Sequence, residues 1–321
     1  MILTDYFRSA PDLTWSLALQ CGVRHGVIRL PEDAEFDVTS LSHLRAVVDR
    51  FQSYGITPVV VEPLPNELHD HIKAGDELRD RSIEGFIKLM ANLREVGIET
   101  VCFNFMAHYG WTRTATDLPE RGGATVTGFR LADFKADETV LTAEQLWANY
   151  TYFLRAVVPY AEKYGIRLAL HPDDPPLPAL GGVARIFTSL DAIEKGLRVV
   201  PSENLGVTFC QACYYIMGEN LENCVNRLAD KIFFIHFRNV TGTKTDFRET
   251  FHDNGEIPMG KMIALYRQHG IDVPIRVDHV PTLPADSTAK TPNVAGYDAL
   301  GRLFAIGYLK GLLEANDTVI K

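Results

Sequence analysis

No apolar run of about 18 or more residues occurs anywhere in the 321-residue chain, so a membrane-spanning helix is not expected. Basic residues are outnumbered: 32 Lys and Arg against 41 Asp and Glu leave a formal net charge of -9. That sign argues against nucleic acid or an anionic membrane as partner, and an acidic ligand would need a local positive site. Cysteine is scarce and odd in number, at five, which does not suit a disulfide framework in a chain of this length. No Gly-x-Gly-x-x-Gly follows an early strand, so dinucleotide binding has no support. The segment MILTDYFRSAPDL lacks a basic region followed by a long apolar stretch. No signal peptide is therefore expected, and the expected location is cytoplasmic. Low-complexity tracts, internal repeats and linkers are missing as well, which leaves one domain over residues 1–321.

What is present is a globular composition, 46% hydrophobic and 23% charged. Short apolar runs recur, each followed by a longer helical pattern. In order they read MILTDYF, the weakest, then HGVIRL, TPVVVEP, TVCFNF, IRLALHP, NLGVTFC, IFFIHFRN and VPIRVDHV. Several follow a Gly-hydrophobic turn, as in YGITPVVVEP, VGIETVCFNF and YGIRLALHP, where a helix end needs a left-handed residue. Between them, segments such as SLSHLRAVVDRFQSYG carry apolar residues three and four apart. Strands apolar on both faces and alternating with helices indicate a parallel sheet, and eight units predict a closed (β/α)8 (TIM) barrel. An open doubly wound sheet is the runner-up.

Three connections are long. The first, from Ala107 to about Val140, carries Trp111, Arg113 and a Gly-Gly, and an ordered lid after the fourth strand is expected there. The others run from Thr241 to Pro258 and from Pro281 to Gly296.

In a barrel the strand C-termini form the active face. The fifth run ends in His171, the sixth in Cys210, the seventh carries His236, and the eighth carries Asp278 with His279. Two imidazoles, a thiolate and a carboxylate from four successive strands can hold a divalent transition metal and leave positions open for substrate. The donor set leaves the ion open, with iron, cobalt, nickel and zinc among the candidates. Asp173 and Asp174 are expected to fix the loop after His171 and orient that ligand rather than bind metal. Cys21, Cys102, Cys213 and Cys224 have no such partners in the pattern and read as structural.

The motifs ALHPDDPP, TFC, HFRNV, FRETFHDNG, VDH and GYDALGRLFAIGYLKGLLEA resemble the mannonate dehydratase family, as do IKAGDELRDRSIEGF and VCFNFMAHYGWTRT. The likeness covers nearly everything after about residue 50, in the same order. It implies a barrel similar to the xylose isomerases, a divalent metal, usually manganese, and conversion of D-mannonate to 2-keto-3-deoxy-D-gluconate. By position it implies His171, Cys210, His236 and Asp278 as metal ligands and proton-transfer duties for His279 and Tyr297. Arg238 and Arg113 are then candidates to grip the substrate carboxylate, with His252 and Trp111 as further substrate contacts. The expected partner is a small sugar acid, and a homo-oligomer, dimer or higher, is expected.

Three stretches depart from the family. The first strand reads TDYFRSAPD where an Arg-Trp-Tyr-Gly-type segment is usual, and the second gives VIRLPED. RVDHV places Val280 where the family has glycine, which would add bulk at the pocket wall. A changed substrate follows as an alternative: an isomerase, epimerase or β-eliminating lyase acting on another sugar derivative. A non-catalytic sugar-acid binder comes third, because it would need neither His279 nor Tyr297.

Overall fold

The Gly-led turns behave as their spacing predicts. In the computed structural model, which describes residues 1–288 and 294–321, Gly55, Gly97 and Gly165 take left-handed φ values of 81°, 80° and 67°. A residue without Cβ meets no steric penalty there. The helices ahead of them span Leu41–Ser53, Arg79–Glu95 and Ala143–Tyr164. The last opens on a reciprocal cap: the Thr142 hydroxyl accepts from Gln145 N–H, and the Gln145 side chain accepts from Thr142 N–H. On the first, Leu44, Val47, Val48 and Phe51 form the buried face. Phe51 stacks on Trp15 with ring centroids 4.1 Å apart, so its truncation to alanine would cost about 3–5 kcal/mol.

After each such turn the chain enters a barrel strand. The eight are β1 (Ile2–Phe7), β2 (His25–Ile28), β3 (Thr57–Val61), β4 (Thr100–Asn104), β5 (Arg167–His171), β6 (Leu205–Cys210), β7 (Ile232–Phe237) and β8 (Pro274–Val277). All pair in parallel in chain order, and β8 closes on β1. Val27, Val60, Cys102, Ala169 and Phe234 pack together as a buried cluster from five strands. The lower barrel is thus filled, and chemistry is confined to the C-terminal rim.

The first two long connections are ordered, and they are joined. Ala115–Pro119 and Thr125–Arg130 form an antiparallel pair, and Thr125–Arg130 also pairs with Asp246–Glu249 from the second connection. Asp246–Glu249 in turn pairs with Val240–Thr243, completing a four-stranded sheet. A bridge from Thr125 to Thr282 ties the third connection to it, while residues 289–293 of that connection lie outside the described residues. Among the described residues no helix is long and apolar enough to cross a membrane.

Candidate active site

A cavity of about 460 Å³ opens at the C-terminal rim, with residues from the ends of every barrel strand except β6 on its wall. Successive strand ends deliver these side chains: Asn104 is in register with His171 and Cys210 with His236, while the pairing of Val207 with Leu170 sets Cys210 further along its strand than His171. Donor atoms of His171, Cys210 and His236 all lie within 4.8 Å of one another. The His171 ring places Nδ1 2.7 Å from the carbonyl of Pro172, which leaves Nε2 as the free donor. His236 sets Nε2 3.1 Å from Glu62, while its Nδ1 is buried without a hydrogen-bond partner and stands 3.4 Å from an Asp278 oxygen.

The Cys213 thiol donates to the Cys210 sulfur at 3.3 Å, and a guanidinium nitrogen of Arg238 approaches that sulfur at 3.5 Å. Burial alone would push the Cys210 thiol up. The bond from Cys213, the Arg238 charge, and the two histidines hold it well below its usual value. The His236 imidazolium is opposed by burial and by Arg276, yet the carboxylates of Glu62 and Asp278 raise its pKa to about 10. Glu62 shows the converse: burial opposes its charge, and Arg276 and His236 together hold it below the usual carboxylate range. An orphaned imidazole nitrogen, a thiolate and a carboxylate at this spacing are a donor set that fits a divalent transition metal.

On the Asp278 side lie the two residues with expected proton-transfer duties. The Tyr297 hydroxyl donates to Asp278 at 3.3 Å, and His279 Nε2 is 3.5 Å from the other oxygen of that carboxylate. The two rings meet edge to face, with centroids 5.1 Å apart. Trp111 reaches over from the first long connection and stacks flat on His279 at 5.1 Å. Burial lowers His279 to about 4 and pushes the Tyr297 phenol up. At neutral pH the imidazole is therefore free of its second proton and the phenol keeps its own. His279 also holds φ at 41°, uncommon for a residue with a Cβ.

Several expectations need correcting. Arg238 and Arg113 do not line the cavity. The Arg238 guanidinium is fully buried and bonds Asp174 at 2.7 Å and Glu249 at 2.6 Å. Arg113 bonds the same two carboxylates at 2.8 and 2.7 Å. Two guanidiniums closed on two carboxylates and set back from the cavity wall tie the long connections to the rim. His252 lies behind the wall too, fully buried, its Nε2 2.7 Å from the carbonyl of Phe237. Asp173 and Asp174 fix the loop as expected, Asp173 by accepting from Phe187 N–H at 2.8 Å, but the His171 ring is oriented by the Pro172 carbonyl. Val280 does not crowd the pocket. It is buried against the last helix, where Gly301 leaves room: a Cβ there would come within 3.1 Å of it. Nor are Cys213 and Cys102 isolated, since the Cys102 thiol donates to Glu62 at 2.9 Å.

Glu62 and Arg276 escaped the sequence reading. Arg276 binds Glu62 at 3.0 Å and Asp278 at 2.8 Å, and so joins the ends of β3 and β8. Glu62 closes VVVEP as His171 closes LALHP, a polar residue ending a buried strand, and that signal was available.

The closed parallel barrel, with metal-type residues on its C-terminal rim, has the fold of the xylose-isomerase-like barrels. In fold it matches a xylose isomerase domain protein from Planctomyces limnophilus, with TM-score 0.64, 14% identity and 98% of both chains covered. The chain belongs to the D-mannonate dehydratase (UxuA) family, whose model matches residues 6–142 and 130–321. It is 31% identical to the mannonate dehydratase of Streptococcus equi subsp. zooepidemicus, over 92% of this chain and 87% of that protein. The crystal structure of mannonate dehydratase from Streptococcus suis serotype 2 superposes with TM-score 0.88 at 28% identity, covering 98% of this chain and 93% of that one. The protein is accordingly an enzyme of the hydro-lyase class.

Proposed function

We propose that the enzyme dehydrates a sugar acid, D-mannonate in the first instance, to the 2-keto-3-deoxy acid, with a divalent metal, manganese first, held by His171, Cys210, His236 and Asp278. The observation that carries this reading is the convergence of His171, Cys210 and His236 donors within 4.8 Å, with Asp278 beside them and His279 and Tyr297 against that carboxylate. When bound, such an ion stabilises the negative charge that develops on the substrate carboxylate as the neighbouring proton leaves.

The chain's own residues do the rest. His279, uncharged at neutral pH, takes the proton from C2, and Asp278 3.5 Å from its Nε2 stabilises the imidazolium that forms. Tyr297 retains its proton and is placed to give it to the departing C3 hydroxyl, which leaves as water. The resulting enol rearranges to the 2-keto-3-deoxy acid. Trp111, flat against His279, excludes water from that side and fixes the ring plane. Glu62 holds His236 through Nε2, so that Nδ1 faces inward. The test is an assay of manganese-loaded protein with D-mannonate that follows the 2-keto-3-deoxy product. Turnover that a chelator abolishes is expected; a metal-loaded protein without turnover would overturn the substrate.

A further inference from the structure

The arginines on the cavity wall are neutralised by carboxylates except at one place. Arg276 is bound by Glu62 and Asp278, and Arg302 by Asp5. Among the described residues Arg8 has no ion-pair or hydrogen-bond partner, and it is exposed on the cavity wall. Arg29 stands beside it. Phe7 on β1 and Ile28 on β2 are in register, Arg29 N–H donates to the Phe7 carbonyl at 2.9 Å, and Arg8 and Arg29 are the first residues beyond each strand. Glu32 bonds Arg29 through one nitrogen at 2.6 Å and leaves the side chain 39% exposed, with further N–H donors unused. Asp12 on the same wall is engaged as a helix cap, accepting from Thr14 N–H at 2.7 Å.

The position of this pair matters more than its charge. In a barrel of eight strands in chain order, β1 and β2 lie across from β5 and β6. The first group carries Arg8 and Arg29, the second His171 and Cys210. Tyr6 and Tyr297 span part of the way between, with ring centroids 5.3 Å apart and Tyr297 bonded to Asp278. A sugar acid whose carboxylate lies at the His171, Cys210 and His236 donors thus points its far end at two guanidiniums. A neutral hydroxymethyl end has little use for them, whereas a carboxylate or phosphate can be gripped through parallel N–H bonds.

Building on the dehydratase reading, we propose that Arg8 and Arg29 receive a second anionic group at the far end of the substrate, so that the preferred substrate is a dianionic sugar acid carrying a terminal carboxylate or phosphate ester.

Calorimetric titration of the full-length protein with D-mannonate, and with six-carbon sugar acids ending in carboxylate or phosphate, tests this. Expected is at least about tenfold tighter binding of a terminal-anion acid than of D-mannonate. That ratio should collapse toward one in Arg8→Ala and be partly retained in Arg8→Lys. Whichever terminal group binds tighter identifies the natural one. A wild-type ratio near one, a ratio unchanged in Arg8→Ala, or no binding of either class overturns the proposal. The product assay run on the same acids keeps the two readings apart. Absence of product from every acid removes the dehydratase reading and leaves the binding ratio standing; product from D-mannonate with a ratio near one does the reverse.

Discussion

The proposed function gives Cys210 a metal and His279 a proton to handle, and single substitutions separate the two roles. Cys210→Ser replaces a thiolate with a poor metal donor, so metal content by elemental analysis should fall well below one per chain. An undiminished content would take Cys210 out of the ligand set. His279→Ala should leave metal content unchanged and lower kcat by about 10²–10⁴-fold, the usual weight of a general base; retained turnover would remove His279 from the proton path. His252 supports a prediction of another kind. Burial lowers its pKa to about 4 from an ordinary value of 6.5. The unfolded chain therefore binds a proton between those pH values that the native state refuses. The native state is stabilised above about pH 6.5, and this contribution is lost as pH falls toward 4, on the order of 3 kcal/mol in all. Urea unfolding at pH 7 and pH 4 should show a smaller loss in His252→Leu than in wild type; equal losses would refute the assignment. Of these residues, the rim set was legible because each ends a buried strand with a polar side chain. Arg238, Arg113 and His252 looked equally available in the sequence. Only the tertiary placement of Asp174, Glu249 and the Phe237 carbonyl reveals that they are engaged behind the cavity wall.

At the scale of elements, the barrel strands were legible because burial on both faces produces continuous apolar runs and glycine marks the turn before them. Even β1, the weakest run, forms its full six residues from Ile2 to Phe7, since pairing with β2 and β8 supplies what local propensity lacks. The rim sheet was not legible. Thr125–Arg130 and Asp246–Glu249 each pair with a local neighbour, but the ladder that joins them into one sheet links segments more than a hundred residues apart, and nothing in either segment names that partner. The clasp beneath that sheet is the quartet of Arg113, Asp174, Arg238 and Glu249, whose side chains are at most 2% exposed. Removing one charge leaves the opposing guanidiniums buried and under-neutralised, a cost of about 3–5 kcal/mol. Asp174→Asn should therefore lower the melting temperature and make the 107–140 connection open to proteolysis before the barrel unfolds. If that segment stayed as protected as in wild type, the quartet would not be what holds it. A surface pair such as Arg94 with Glu99, at 3.6 Å and well exposed, should lose under about 1 kcal/mol on the same treatment.

For the whole molecule the consequence lies in how the rim is distributed along the chain. His171, Cys210, His236 and Asp278 come from four consecutive β/α units. An ion held by all four would link half of the barrel into one cooperative body, and the unfolded chain offers no comparable site. Binding to the folded state alone stabilises it by mass action, by about 2.7 kcal/mol when free metal is a hundredfold above its Kd. Manganese should thus raise the melting temperature of chelator-stripped protein in proportion to the logarithm of its concentration, and EDTA should reverse the rise. The increment should shrink sharply in Cys210→Ser, while Arg8→Ala, far across the cavity, should keep it in full. The stripped protein should still fold, because the interior cluster around Val27, Val60 and Phe234 and the closed hydrogen-bonded ring do not depend on the ion. If manganese left the melting temperature unmoved at every concentration, the rim cluster would instead be a polar brace. Its charges would then be balanced by Arg276, Arg238 and Glu62 without an ion, and the dehydration chemistry would need a different source of charge stabilisation.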